Sequence, residues 1–296
     1  MVTVVTIQRV PDLTEREFRT LHSHQNKPVI VRNTIRDWPA LQEWSLEYLA
    51  ENYGHEKVTF RQPYADSSKQ EDREWTLREF VDVLQSGREP RPYLNQVKLR
   101  DLSKRLRSDI GPLEIAKKNR LNRARLLPAS MQLDAGKRAL FVGDRGSGFG
   151  MLHWDYSYLH VYISQVRGSK EFLVFSPEDT PYLYQHPIHE GASSIKDINN
   201  YNPADYPDLQ KATPIRFTLQ EGETLFLPGG WWHATQMNEC SISVAESALT
   251  STNWTQRYRW FAKQFRQQGY SPRKVSLFRL YMFGLGRFLD ILEKVR

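Results

Sequence analysis

The segment that most constrains the fold is residues 146–175, GSGFGMLHWDYSYLHVYISQVRGSKEFLVF. Its apolar runs, separated by a turn that contains Gly168, predict neighbouring strands of a sheet. Because side chains alternate between the two faces of a strand, His153 and Asp155 should point to one side and Trp154 to the other. The segment is therefore predicted to direct an imidazole and a carboxylate towards one point.

Two such groups are too few for a metal site, so a third donor is expected from elsewhere, and the segment PGGWWH ends in His233. Two histidines and one carboxylate leave one face of an octahedral ion open, as in non-haem Fe(II) oxygenases, whereas structural zinc sites are closed by four ligands. We therefore predict that His153, Asp155 and His233 bind Fe(II) and act in catalysis through it. O2 would take the open face.

A lysine at the start of an apolar strand gives a second candidate site. Lys170 precedes the run Phe172 to Phe175, which has the character of a buried strand. A lysine in this position either extends to solvent or meets an anion inside the protein. The carboxylate of a cosubstrate would be such an anion.

These residues resemble the Jumonji-C, cupin-like family of Fe(II)- and 2-oxoglutarate-dependent oxygenases. The resemblance rests on the HxD pair, the Gly-x-Lys fifteen to seventeen residues after His153, the strand FLVFSPED and the later GETLFLPGGWWH. It extends upstream to PVIVRNTIRDWP and WSLEYL, and covers roughly residues 29–248.

The resemblance implies that 2-oxoglutarate chelates the iron, that Lys170 binds its far carboxylate and that succinate is released. Val161 stands where several members of the family carry asparagine. Other hydrogen bonds to 2-oxoglutarate would then come from Tyr158, which we favour, or from one of three alternatives: Ser157, His160 and Tyr93.

The predicted fold is mainly β with helices: a double-stranded β-helix, or jelly roll, with an N-terminal α/β elaboration and a C-terminal helical pair. The oxygenase domain would span residues 1–252, with the elaboration at 1–137 and the jelly-roll core at about 138–252. Apolar residues at helical spacing predict helices within 253–296. Thr14 with Glu17, and Thr76 with Glu79, fit capping boxes, and Leu99, Leu102 and Leu106 fit one helical stripe.

Charge distribution leaves three functions open. The chain has a net charge of +7, and residues 253–296 hold ten Lys or Arg against two Asp or Glu. We favour a hydroxylase of a protein side chain over a demethylase. The basic segments keep an RNA substrate open, since residues after Phe172 also look like wybutosine-tRNA hydroxylase. A cupin-like module that binds metal or ligand without turnover is the third option.

Composition indicates a globular protein of a reducing compartment. Forty per cent of the residues are hydrophobic, which suffices for a core, and the single cysteine cannot form an intrachain disulfide. No signal peptide or apolar run long enough to span a membrane is evident, so we expect a cytoplasmic protein.

The last helix is unusually apolar. A stripe that something must cover is formed by Phe278, Met282, Leu285, Phe288, Leu289 and Leu292. The chain's own domain, a second copy or an anionic membrane could do so, and we favour a homodimer through the C-terminal helices.

Overall fold

The computed structural model describes residues 6–60, 73–88, 92–132 and 138–294. In this part of the chain the strands are β1 Gln8–Val10, β2 Val29–Val31, β3 Lys57–Phe60, β4 Arg73–Thr76, β5 Leu94–Lys98, β6 Arg138–Gly143, β7 Gly148–His153, β8 His160–Arg167, β9 Lys170–Phe175, β10 Ile215–Leu219, β11 Thr224–Leu227, β12 Trp232–Gln236 and β13 Ser241–Ala248. The α-helices are α1 Glu15–Phe18, α2 Ala40–Glu43, α3 Leu46–Tyr53, α4 Leu77–Gln85, α5 Leu99–Leu102, α6 Lys104–Ser108, α7 Trp254–Gln267 and α8 Pro272–Lys294.

Two sheets form the centre of the molecule. The larger has the order β1-β2-β11-β8-β13-β6-β5, and the smaller has the order β10-β9-β12-β7. One face of each sheet contributes to a shared apolar core, with Phe172 and Phe217 from the smaller sheet and Ile163 and Leu225 from the larger. This arrangement confirms the predicted jelly roll.

The N-terminal elements cover the outer face of the larger sheet. Phe18 of α1, Trp44 at the end of α2 and Phe80 of α4 pack with Tyr162 and Phe226 of that sheet. Both predicted capping boxes are present, at the starts of α1 and α4. These helices begin where the sequence predicts because a capping box satisfies orphan amides through residues only three positions apart.

The leucine stripe of residues 99–106 does not form the single helix predicted. Its three leucines are buried, but the backbone is extended at Ser103, with φ −158° and ψ 143°, and so divides the segment into α5 and α6. The Ser103 hydroxyl accepts a hydrogen bond from the Arg105 amide and thus caps α6. Serine competes with the helix for backbone hydrogen bonds in this way, which the apolar spacing alone does not reveal.

The C-terminal helices cover the outer face of the smaller sheet. Leu173 and Phe175 of β9 pack in one cluster with Trp254, Phe261 and Met282. Arg120 is buried and fixes α8 from the side, because its guanidinium contacts the carboxylates of Asp290 (2.5 Å) and Glu293 (2.7 Å). The predicted C-terminal helical pair is therefore confirmed and packs as part of the core.

An irregular segment, residues 182–213, runs beside β7 at the edge of the smaller sheet. The Trp154 amide donates to Gly191 O, and the Ser193 amide donates to Leu152 O, at 2.9 and 2.8 Å. The loop thus supplies hydrogen-bond partners to the strand that ends at His153.

Within the described residues, none of the helices combines the length and the hydropathy that crossing a membrane would need.

Candidate functional site

The two predicted histidine ligands lie side by side. β7 and β12 are antiparallel neighbours, and His153 pairs directly with His233 in their register. Their ring centroids are 4.2 Å apart, with the planes tilted by 48°. In the same sheet His233 pairs with Val174 of β9, so both imidazoles occupy the face that looks into the space between the sheets.

Both imidazoles carry their proton on Nδ1. His153 Nδ1 lies 3.0 Å from Met151 O, and His233 Nδ1 lies 3.3 Å from Trp231 O. Because a carbonyl oxygen can only accept, each Nδ1 is the donor and each neutral ring keeps a lone pair on Nε2. Backbone carbonyls orient metal-binding histidines in the same way.

Desolvation keeps both rings neutral. Burial lowers the pKa of His233 to about 4. Burial also lowers the pKa of His153 to about 4, with a further contribution from His233, while the charge of Asp155 acts in the opposite direction. His153 is nevertheless partly exposed, whereas His233 is buried.

Asp155 stands next to this pair at the start of a distorted turn, Tyr156–Tyr158. Its charge acts on His153, as the pKa of that ring shows. Across the described ranges, however, no three His, Cys, Asp or Glu side chains are assembled as a group that could hold a metal ion. The structure thus brings the two histidines together with Asp155 adjacent to them, and the three-ligand site stays a prediction.

Lys170 is buried inside the space between the sheets. Its Nζ donates to Ser243 Oγ of β13 at 2.7 Å, and lies 5.1 Å from the ring centroid of Phe141 and 5.9 Å from that of Tyr93. Burial lowers the pKa of Lys170 to about 7. Its contacts are thus one hydroxyl and the rings of two aromatic side chains.

Lys170 and the histidine pair face the same space. Val174, which pairs with His233, is four residues along β9 from Lys170, or about 13 Å at the usual rise of a strand. An even number of residues places both side chains on one face. A lysine side chain and a short dicarboxylate together would cover that separation.

The four aromatic and polar candidates for cosubstrate contacts separate into two groups. Tyr93 is buried against Lys170. The ring of Tyr158 instead packs on Trp154 at 4.4 Å, in the cluster on the outer face of the smaller sheet. Burial raises the pKa of Tyr158, and Glu190 adds to this effect. The predicted role of Tyr158 in cosubstrate binding is not tested by this placement, but it and Lys170 lie in different clusters.

Two of the alternatives are already engaged by backbone or hydroxyl groups. His160 accepts from the Gly229 amide through Nδ1 at 2.9 Å, and its Nε2 contacts Thr252 Oγ1 at 2.9 Å. Ser157 is fully buried and accepts from Arg257. Sequence reasoning named neither Phe141 nor Ser243 beside Lys170, because each comes from a strand distant in sequence and carries no motif.

The sequence profile of the cupin-like domain family matches residues 15–259. This chain belongs to the Jumonji-C, cupin-like family. It is 30% identical over 240 residues to lysine-specific demethylase 8 of Danio rerio, covering 77% of this chain and 54% of that protein. It is 28% identical over 242 residues to Jumonji C domain-containing protein 5 of Drosophila melanogaster, covering 77% and 56%.

A third relative, the human bifunctional peptidase and (3S)-lysyl hydroxylase JMJD7, is 28% identical over 252 residues, covering 74% of this chain and 76% of that protein. The chain thus spans about half the length of the first two relatives and three quarters of the third. The family is one of Fe(II)- and 2-oxoglutarate-dependent oxygenases, as predicted from the sequence. The donor types present, two neutral imidazoles and a neighbouring carboxylate, fit such an ion.

Proposed function

We propose that the chain is an Fe(II)- and 2-oxoglutarate-dependent hydroxylase that acts on a protein side chain. The observation that carries the proposal is the pairing of two neutral histidines at one point of the space between the sheets with a buried cation further along the same face. A keto-acid cosubstrate such as 2-oxoglutarate needs a metal ion at one end and a group that binds its far carboxylate at the other.

His153, His233 and Asp155 would hold the iron, which when bound supplies the activation of O2 that is coupled to decarboxylation of the cosubstrate. Lys170 would bind the far carboxylate of 2-oxoglutarate in its protonated form. Phe141 and Tyr93, beside its Nζ, would exclude water and so strengthen that ion pair. The exposed side of His153 leaves an approach for the C–H bond of the substrate.

A protein substrate is supported by the relatives. The names of two of them state lysine-specific demethylation and (3S)-lysyl hydroxylation. As in the sequence analysis, we favour hydroxylation over demethylation, and this choice is part of the proposal.

Replacing each ligand tests the metal site. His153→Ala, Asp155→Ala and His233→Ala should each remove most Fe(II) binding and abolish succinate release, because each removes one of only three protein donors. Anaerobic titration with Fe(II) measures the first effect, and succinate release after O2 addition measures the second. Full iron occupancy in the Asp155→Ala protein would remove that residue from the ligand set. Iron and 2-oxoglutarate binding without succinate release, with peptides or lysate fractions supplied, would favour a binding module.

An RNA substrate is the second candidate, and a basic cleft favours it. Arg259, Lys263 and Arg266 of α7 and Arg279 of α8 line a cleft of 180 Å³. Glu190 forms an ion pair with Lys263 at 2.9 Å. The helix α7 that lines the cleft also contacts the turn after Asp155. The ring centroids of its Trp260 and of the exposed Tyr156 are 4.5 Å apart. A cationic groove with aromatic side chains nearby suits single-stranded nucleic acid.

Salt dependence separates this candidate from the first. If RNA binds here, its association constant should fall steeply as salt rises, and Arg259→Glu with Arg266→Glu should weaken binding and flatten that slope. Arg88→Glu, an exposed charge on another element, is the matched control. Absent RNA binding would reject the RNA substrate, and RNA binding unchanged by the paired reversal would reject this cleft as its site.

A further inference from the structure

The turn that follows Asp155 has an unfavourable backbone. Ser157 and Tyr158 both lie in the left-handed region, with φ of 58° and 60°. Residues with a side chain avoid this region, and two in succession need support from their surroundings. This support determines the direction in which the chain leaves β7 and hence the position of Asp155.

A buried arginine from α7 provides one support. Arg257 is fully buried, and its Nη1 donates to Oγ of Ser157, which is itself fully buried. Its Nη2 donates to Met131 O at 3.2 Å, and its guanidinium lies 5.3 Å from the ring centroid of Phe261. The guanidinium is therefore fixed on both sides while it holds the hydroxyl at the centre of the turn.

Two further contacts hold the same turn. Asn253, at the start of α7, donates from Nδ2 to Tyr158 O at 2.9 Å and to Ala248 O at 3.0 Å. On the opposite side the turn lies against the backbone of Gly229, where an added Cβ would come within 2.2 Å of Tyr158 O. Gly229 is in the PGG segment that leads to His233, so the turn joins the two parts of the chain that carry the predicted ligands.

We propose that Arg257 is a positioning residue for Asp155: through Ser157 it holds the turn in the left-handed conformation that keeps the carboxylate beside the two histidines. The proposal rests on the proposed function, since it gives Asp155 its role as a metal ligand. Arg257 is thus assigned a positioning role, exerted on Asp155 through Ser157 and the turn.

The test compares Arg257→Gln, Ser157→Ala and the double variant. Each single change should weaken Fe(II) binding by about ten- to hundredfold, the usual effect of losing a residue that orients a ligand. If the arginine acts through the hydroxyl, the double variant should bind no more weakly than the worse single variant. Arg273→Gln, an exposed charge at the start of α8, should bind as the unaltered protein does.

Rescue distinguishes positioning from general support of the fold. Glycine adopts the left-handed region without help, so adding Ser157→Gly to Arg257→Gln should restore much of the Fe(II) affinity. It should also restore the absorption band of the Fe(II)–2-oxoglutarate complex. Failure of that rescue in a protein whose circular dichroism and unfolding temperature are unchanged would overturn the proposal. So would unaltered affinity and spectrum in Arg257→Gln itself.

A readout without iron keeps the proposal separate from the proposed function. In Arg257→Gln, amide hydrogen exchange should rise in residues 155–159 and stay unchanged in β8, because only the turn loses its support. If the unaltered chain bound no Fe(II), the proposed function would fail while this exchange still reported on the turn. Unchanged exchange in the turn would reject the role of Arg257.

Discussion

Near neutral pH the amine of Lys170 is close to the midpoint of its titration. Burial lowers its pKa to about 7 from the 10.5 of an ordinary lysine, and Ser243 is its hydrogen-bond acceptor. A bound carboxylate would favour the charged form. Binding of 2-oxoglutarate at pH 8.5 should therefore take up close to one proton, whereas binding at pH 6, where the lysine is already charged, should take up almost none.

Calorimetry in two buffers of different ionisation enthalpy measures this uptake. Lys170→Arg provides the control, because arginine stays charged at both pH values and should show no difference between them. Lys170→Ala should weaken 2-oxoglutarate and spare iron. Equal proton uptake at both pH values would show that the carboxylate binds elsewhere.

The same residue predicts how stability depends on pH. Between about pH 7 and 10.5 the unfolded chain keeps the Lys170 proton that the folded chain has released. Stability therefore rises with pH in this window, because the unfolded state binds more protons. The penalty of the buried charge is full below pH 7. Lys170→Met should accordingly stabilise the protein against urea most at pH 6, and its advantage should shrink towards pH 10; an advantage that grew with pH would contradict the assignment.

For single residues, the sequence predicts the chemical character of a position better than it predicts which residues that position contacts. The HxD spacing gave the face of His153, since this follows from local alternation. The strand around Lys170 left open whether its side chain extends to solvent or lies inside the protein. The direct pairing of His153 with His233 depends on strand register, which no local pattern specifies. The contacts of Lys170 with Phe141 and Ser243 depend on the packing of one sheet on the other.

Two glycines of α8 differ in their surroundings, although they are two residues apart. A Cβ on Gly286 would lie 2.5 Å from Nε1 of Trp254, which donates to Met282 O at 3.0 Å. A Cβ on Gly284 would meet nothing within 4 Å. The first glycine lets α7 and α8 approach each other, and the second has no such role within the chain.

Alanine substitution should therefore have opposite effects at the two positions. Gly286→Ala should destabilise the protein by about 1–3 kcal/mol through overpacking. Gly284→Ala should leave the stability of the monomer unchanged or raise it by up to about 1 kcal/mol through helix propensity. Urea unfolding of both variants, at a protein concentration where light scattering shows the monomer, measures the difference. A larger loss at Gly284 would reverse this account.

Among the elements, those with signals inside the segment were predicted best. The capping boxes of α1 and α4 and the stripes of α7 and α8 are specified by residues within one or two helical turns. The division between α5 and α6 was not predicted, because Ser103 is compatible with a helix until its hydroxyl caps the next one.

In the described part of the folded chain, one face of α8 is not covered by other elements. Exposed apolar side chains lie along it at Leu277, Tyr281, Phe288 and Ile291. Gly284 lies between them, so that these five positions follow one another at intervals of three or four residues. That spacing suits pairing with another helix, and a glycine allows close approach. Most of the stripe predicted from the sequence packs instead on the chain's own domain, with Met282 and Leu289 buried. We predict that two copies of the chain associate through the uncovered face.

Charge substitution within this face tests the association. Leu277→Glu with Ile291→Glu should convert a dimer into a monomer in light scattering without changing the circular dichroism, since both side chains are more than half exposed. Lys294→Glu, an exposed charge on the same helix, is the control. A monomeric unaltered chain would reject the prediction, and a dimer that survives the double substitution would place the interface on another surface.

The order of strands in the smaller sheet also governs how the protein reaches its fold. Some eighty residues of chain separate His153 of β7 from His233 of β12, although these two strands are neighbours in the sheet. The other neighbour of β12 is β9, which lies between β7 and β12 in the sequence. Closing such long loops costs entropy before any pairing repays it, so folding of this topology should be slow. The histidine pair cannot exist until that closure is complete. A metal ion that binds this pair should therefore slow unfolding without accelerating folding, because its site forms only in the last step.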